Sequence, residues 1–175
     1  MFSQLPRTRK GTIAEEYVRD VLISRGWHIY TYSTVNQPHP VDMLAFTPDK
    51  ELVAVEVKCK RARLYYPDTG IDVRHYNHYH SLQSQLNLPI LLLFVDEYSK
   101  TVYGNYLNHL SQPITIVDNQ RTLHYPMVTE NLVYFPLQSM EHYADIPPAI
   151  VAQIKSYTAS KYHYLPSRAA NNDGV

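Results

Sequence analysis

The chain lacks most of the features that would place it in a specialised class of protein. It has a single cysteine, so no disulfide can form within it and nothing points to an oxidising compartment. Its longest apolar run, residues 90–95, is too short to span a bilayer, and its N-terminus has no long apolar stretch of the secretory kind. Glycine is scarce, at five residues, and we see no repeat. We therefore expect a cytoplasmic protein with no membrane partner.

Charge of one sign is not in excess either, but the charges are unevenly distributed. The sequence has 16 Lys and Arg against 16 Asp and Glu. Residues 1–63 carry ten basic against seven acidic side chains, and residues 64–175 carry six against nine, so the two parts differ as +3 and −3. Two basic clusters lie at residues 7–10 and 58–63. Local positive charge favours a polyanionic partner such as nucleic acid, and a solvated basic loop is the alternative.

With 175 residues, 45% of them hydrophobic, the chain can form one domain with a proper core. Apolar spacing predicts a helix from Thr12 to Arg25, with Thr12 and Glu15 as a capping box and Gly26 ending it. Asp72 is placed to cap a second helix that runs to about residue 86. The remaining predicted elements are strands at residues 27–32, 41–46, 52–59, 90–95, 101–106, 114–117, 122–125 and 132–135, a loop at 61–70 and a helix at 150–160. The unbroken hydrophobicity of residues 90–95 favours a central strand covered on both faces.

The most informative segment is the predicted hairpin of residues 41–59, because it carries three charges on otherwise apolar strands. Strand side chains alternate faces, so Glu56 and Lys58 must point the same way. A loop of four or five residues would set Asp42 beside Val55 or Glu56. Buried charges are costly unless they are paired or bind a metal. The hairpin therefore predicts a site with two carboxylates and a lysine.

This arrangement resembles the PD-(D/E)XK nuclease superfamily, and in particular its Holliday-junction-resolvase-like branch. The motif of that superfamily is matched by Pro40-Val41-Asp42, with one residue inserted between Pro and Asp, and by Glu56-Val57-Lys58. A Gly-x-x-x-Glu segment of the first helix is matched by residues 11–15, which Lys10 precedes. Gln83 corresponds to a glutamine on the helix after the motif in several subfamilies. The resemblance covers about residues 7–100.

The resemblance implies an α/β (α+β) fold with a restriction-endonuclease-like core, in which a mixed central sheet is flanked by helices. On this basis we predict three parts. They are a PD-(D/E)XK nuclease core at residues 1–110, a small C-terminal β/α extension packed on it at residues 111–166, and a disordered tail at residues 167–175.

The resemblance also implies a function, that of a metal-dependent endonuclease hydrolysing phosphodiester bonds in DNA. Carboxylate oxygens suit Mg²⁺ or Mn²⁺, so Asp42, Glu56 and Glu15 become candidate metal ligands, together with the carbonyl of Val57. Lys58 would orient or deprotonate the attacking water and stabilise the transition state.

Some alternatives remain open at this stage. Gln83 joins the candidate catalytic residues through the resemblance alone. Glu16 is a rival to Glu15, which could instead be a carboxylate favoured by the helix dipole. A catalytically inactive nucleic-acid-binding or assembly module with the same fold is the alternative function. The zero net charge also makes a homodimer or a protein partner plausible, because a neutral monomer has a limited electrostatic hold on DNA.

Overall fold

A computed structural model of the chain describes residues 6–31 and 39–159, with side chains for residues 9–30 and 39–157. The predicted tail at residues 167–175 and the end of the predicted extension lie outside the described residues.

The helices are α1 (Pro6–Ser24), α2 (Val73–Leu86), α3 (Leu107–Leu110) and α4 (Pro148–Ala159), with a 3₁₀ turn at Leu137–Ser139. The strands are β1 (His28–Thr31), β2 (Met43–Phe46), β3 (Leu52–Cys59), β4 (Asp68–Asp72), β5 (Ile90–Asp96), β6 (Thr101–Tyr106), β7 (Ile114–Asp118), β8 (Arg121–Tyr125), β9 (Met127–Val128), β10 (Leu132–Pro136) and β11 (Glu141–Asp145).

Six strands form the main sheet in the order β1-β2-β3-β5-β6-β11. The pair β3–β5 is parallel and the other pairs are antiparallel, so the sheet is mixed. One face packs on α1 and α4, through residues such as Val18 and Ile154. The opposite face packs on α2 and β10, through residues such as Tyr79 and Phe135. The chain thus has the mixed sheet flanked by helices that was predicted.

Strand β5 lies at the centre of this sheet. All seven of its residues are buried, and it pairs with β3 on one side and β6 on the other. Leu91, Leu93 and Val95 face α1, whereas Leu92 and Phe94 face α2. The prediction of a central strand covered on both faces is confirmed.

Helix α1 begins earlier than the sequence pattern suggested. It starts at Pro6, so the predicted start and capping box at Thr12 are wrong. A proline is compatible with the first turn of a helix, where its missing N–H would have no partner anyway. The predicted end is confirmed, since Gly26 has a φ of +84° and its N–H donates to the carbonyl of Ile23 at 2.9 Å.

Helix α2 begins where it was predicted to begin. The Asp72 carboxylate accepts a hydrogen bond from the backbone N–H of Arg74 at 2.8 Å. The helix ends at Leu86 and is followed by Asn87, which lies in the left-handed region with φ 49°. The predicted loop at residues 61–70 is wrong in its last part, because residues 68–70 belong to β4. That strand forms by pairing with the distant β10, which no local pattern signals.

The chain after residue 110 contributes both to the main sheet and to smaller sheets. Strand β11 pairs with β6 at the edge of the main sheet, and α4 packs on α1. Strands β4, β10 and β9 form a second sheet, and β7 and β8 form a hairpin. The boundary at residue 110 and the three-part division stay predictions. Within the described residues, no helix combines the length and the apolar character needed to cross a membrane.

Candidate active site

The β2–β3 hairpin places Asp42 against the middle of β3. Met43 pairs with Val55, so Asp42, one residue earlier, lies level with Glu56. The Oδ2 atom of Asp42 accepts a hydrogen bond from the backbone N–H of Val57 at 2.7 Å. A short antiparallel connection thus holds the first carboxylate beside the second.

Glu56 and Lys58 lie on the face of β3 that packs on α2. The Lys58 ammonium donates to Oε1 of Glu56, and the hydroxyl of Tyr79 donates to the same oxygen at 2.5 Å. The ammonium also lies 5.7 Å from the centroid of the Tyr79 ring. Val55 and Val57 face the other way, into the core beneath α1. The alternation of strand side chains therefore places a buried carboxylate and a lysine together at one point of the sheet.

The electrostatics of this cluster are dominated by negative charge. The pKa of Asp42 is raised to about 7, first by burial and then by the charge of Glu56. The hydrogen bond from Val57 opposes this rise, Glu15 adds to it, and Lys58 opposes it. Carboxylates this close favour the protonated form of one of them unless a cation compensates the charge. One ammonium does not offset the acids gathered here.

Glu15 reaches the same cluster from α1, on the other layer of the fold. Burial raises its pKa most strongly, the charge of Glu56 raises it further, and Lys58 lowers it. The neighbouring Glu16 is exposed. Because α1 begins at Pro6, Glu15 lies well inside the helix, and the helix dipole, which acts only in the first turn, does not explain it.

Gln83 lies on the same helix as Tyr79 but is not hydrogen-bonded to the cluster. It is on α2, one helical turn after Tyr79, and its side-chain Oε1 is buried without a hydrogen-bond partner. No hydrogen bond joins its side chain to Asp42, Glu56 or Lys58 in the described part of the chain.

Two further residues of α2 belong to this environment, and the sequence did not assign either to the site. Tyr79 bonds Glu56, and His75 stacks on Tyr79 with 6.0 Å between the ring centroids. The pKa of His75 is lowered by burial first and by the charge of Lys58 second. A signal was available, because His75, Tyr79 and Gln83 recur every four residues and so share one face of the helix.

The donors gathered here fit a hard divalent cation, although they are not arranged around one. Asp42, Glu56 and Glu15 offer carboxylate oxygens, the ligands that Mg²⁺ and Mn²⁺ prefer. Among the residues whose side chains are described, no three His, Cys, Asp or Glu side chains lie close enough together to hold a metal ion. Lys58 neutralises Glu56 instead. The described histidines at positions 75, 78 and 80 are likewise not grouped in a metal-binding arrangement.

The mixed sheet, the flanking helices and the hairpin together define a restriction-endonuclease-like fold. The chain is similar to the 1.6 Å structure of Hjc, a Holliday junction resolvase from the archaeal hyperthermophile Archaeoglobus fulgidus, with a TM-score of 0.50 and 12% identity over 74% of this chain and 90% of that one. No family model and no curated protein matches the sequence.

This likeness confirms the predicted fold. At 12% identity it does not reach the roles of single residues, which stay predictions.

Proposed function

We propose that the protein is a metal-dependent nuclease that hydrolyses phosphodiester bonds in DNA, acting as an endonuclease. One observation carries this proposal. Asp42, directly before β2, is bonded to the backbone of β3 beside Glu56, the Lys58 ammonium lies on Glu56, and the pKa of Asp42 is raised to about 7. Buried carboxylates that repel one another are a costly arrangement in a stable core and a useful one where a cation binds.

The metal in this proposal is Mg²⁺ or Mn²⁺. Asp42, Glu56 and Glu15 would hold it through carboxylate oxygens, and Val57 through its carbonyl. The ion supplies an acidified water and offsets negative charge on the phosphate when it is bound.

Lys58 carries the chemical step on the protein side. Its side chain extends from β3, and its ammonium donates to Oε1 of Glu56. Released from Glu56, it would hold the attacking water and donate to the phosphate oxygen where charge develops. Tyr79 keeps a donor on Glu56 when the lysine turns away, so that carboxylate stays oriented. Gln83, whose amide oxygen is free of partners, completes the proposed catalytic set.

DNA is the proposed substrate for two reasons. The basic residues at positions 58–63 follow directly on the site, which suits a polyanion. The similar structure is that of a Holliday junction resolvase, so branched DNA belongs among the first substrates to test. A homodimer stays a prediction from the neutral net charge.

The direct test is cleavage by the purified protein. Plasmid, linear, single-stranded and branched DNA are each incubated with Mg²⁺, Mn²⁺ or EDTA, and products are resolved on gels. We expect cleavage with either metal and none with EDTA. Nicking or linearisation of closed circular DNA would establish endonuclease action. If no DNA is cut with either metal, the inactive nucleic-acid-binding module becomes the better interpretation.

A further inference from the structure

A cleft lies between the loop that joins β3 to β4 and the tip of the β7–β8 hairpin. Its volume is about 520 Å³. Its walls combine aromatic, apolar, basic, acidic and amide side chains, among them Leu64, Tyr65, Tyr66, Asp118, Asn119 and Arg121. The cleft is separate from the carboxylate cluster, and the candidate mechanism uses none of its residues.

Arg63 lines the cleft and is held in place by several partners. Its guanidinium makes two hydrogen bonds of 2.5 Å to the two carboxylate oxygens of Asp68, a side chain with no solvent exposure. Tyr125 donates a further hydrogen bond to Asp68 at 2.7 Å. The same guanidinium lies 3.8 Å from the ring centroid of Tyr134 and 4.0 Å from that of Tyr66. Paired and stacked in this way, Arg63 holds Tyr66 in place.

Arg121 ties the two walls together. It lies 4.7 Å from the Tyr66 ring centroid, donates to the backbone carbonyl of Tyr65 at 2.8 Å and pairs with Asp118 at 2.7 Å. The hairpin and the loop are thus joined at the base of the cleft, and the opening above them is preformed.

The rim carries two large apolar side chains that nothing covers in the described part of the chain. Leu64 is 76% exposed and Tyr65 is 75% exposed, side by side in the sequence. An exposed aromatic ring beside guanidinium groups is the usual composition of surfaces on which unpaired bases stack.

We propose that this cleft binds an unpaired nucleotide of a DNA substrate, with the base stacked on Tyr65. The Arg121 side chain is 41% exposed and would share its guanidinium between Asp118 and the phosphate of that nucleotide. Asn119, at the hairpin tip, would offer its amide to the hydrogen-bonding edge of the base. A base inside a paired duplex presents neither its face nor its pairing edge, so the cleft selects DNA with single-stranded or branched parts.

The position of the cleft relative to the candidate active site supports this proposal. Tyr65 follows Lys58 by seven residues, which span at most about 25 Å when fully extended. Of the three basic residues between them, Arg63 is paired with Asp68 and Lys60 donates to the carbonyl of Gly70, whereas Arg61 is exposed. Arg61 therefore offers positive charge to a DNA backbone between the two sites. This inference rests on the proposed action on DNA and adds the structure of the substrate to it.

Binding measured without catalysis tests the proposal. Fluorescence anisotropy in EDTA compares a forked DNA, a single strand and a fully paired duplex of matched length, for the wild type, Tyr65→Ala and Tyr65→Phe. We expect Tyr65→Ala to weaken binding to the fork and the single strand about tenfold or more, and binding to the duplex less than about twofold. Tyr65→Phe keeps the ring and should bind like the wild type.

A matched control and a second variant make the result specific. Tyr30→Ala removes another exposed tyrosine, 60% exposed on β1, and should leave binding to every DNA unchanged. Asn119 has a φ of 47°, which glycine also adopts, so Asn119→Gly removes the amide without straining the turn. We expect this variant to bind the fork a few fold more weakly. Circular dichroism melts verify that each variant is folded.

The proposal is overturned if Tyr65→Ala binds the fork and single strand as Tyr30→Ala does, or if it weakens duplex binding equally. These outcomes are independent of the proposed nuclease activity, because EDTA prevents any metal-dependent cleavage. If the protein cuts DNA but Tyr65→Ala has no effect on binding, the proposed active site is supported and the proposed role of the cleft is contradicted. If the protein cuts no DNA but shows the expected binding selectivity, the role of the cleft is supported and the proposed nuclease activity is contradicted.

Discussion

Two buried carboxylates in this molecule have similar partners and opposite characters. Glu56 is bonded by Lys58 and by the hydroxyl of Tyr79. Asp68 is bonded by Arg63 and by the hydroxyl of another tyrosine, residue 125. Each is a buried acid with one cation and one phenol.

The difference lies in the cation and in the other charges nearby. Arg63 meets both oxygens of Asp68 with a planar fork, so that acid is fully paired. Lys58 offers one compact charge to a single oxygen of Glu56, with Asp42 beside it and the pKa of Asp42 raised. In the Arg63–Asp68 pair the two charges compensate each other, and the pair has a structural role. The Lys58–Glu56 pair leaves negative charge uncompensated, and that imbalance marks it as the candidate site.

Breaking the structural pair should have the largest effect on stability. Asp68→Ala leaves Arg63 partly buried without its partner, a loss of about 3–5 kcal/mol for a broken buried pair. Denaturant unfolding followed by circular dichroism measures it. Asp49→Ala, in the exposed turn between β2 and β3, serves as the control and should cost less than about 0.5 kcal/mol. If Asp68→Ala lowered the free energy of unfolding as little as Asp49→Ala does, the Arg63–Asp68 pair would have no structural role that sets it apart from the Lys58–Glu56 pair.

Breaking the other pair should act most strongly on catalysis. We expect Lys58→Ala to lower the rate of DNA cleavage about 100- to 1000-fold, because Lys58 is proposed to act mainly in the transition state. DNA binding in EDTA should change little. Buried Glu56 keeps the donor from Tyr79 but loses its cation, so the melting temperature should fall, and cleavage is measured well below it. Lys50→Ala removes an exposed lysine before the start of β3, at the other end of that strand, and should cleave normally. Equal cleavage by the two variants would place the active site elsewhere.

The charge imbalance predicts a stability that depends on pH. The pKa of Asp42 rises from 3.8 to about 7 on folding, so its contribution is fully present below about pH 4 and is lost as the pH rises through about 7. Asn cannot ionise and can still accept the hydrogen bond from Val57. In EDTA, Asp42→Asn should therefore be more stable than the wild type at about pH 8.5, on the order of 1–3 kcal/mol, since one pKa unit corresponds to about 1.4 kcal/mol. Thermal melts across pH measure this gain, which should shrink towards pH 5. A gain that is the same at every pH would contradict the raised pKa.

The two tyrosines give the smallest and most closely matched comparison. Tyr79→Phe and Tyr125→Phe each remove one hydroxyl from a buried carboxylate. We expect each to lower the free energy of unfolding by about 1–2 kcal/mol. Only Tyr79→Phe should also lower cleavage, by several fold, because Glu56 loses the donor that orients it. Parallel unfolding and cleavage assays measure both. Equal cleavage by the two variants would show that Tyr79 has no part in the site.

Local patterns predicted much of the core and part of the candidate site. The alternation in β3, the cap at Asp72 and the apolar run of β5 depend on neighbours in sequence, and the structure contains all three. Strands β4 and β11 were missed because their partners, β10 and β6, lie far away in the chain. Tyr79 was missed as a partner of Glu56 for the same reason. Its helical spacing was visible, but the packing of α2 on β3 was not.

The packing of α1 against the end of the chain has a consequence for the order in which the protein is made. The hydroxyl of Tyr17 on α1 donates to the backbone carbonyl of Asp145, 128 residues later, and α4 packs on the same helix. A ribosome therefore releases α1 long before α4, and part of the apolar face of α1 stays uncovered until α4 emerges. A chain arrested before β11 would lack both of these contacts between α1 and the later segment.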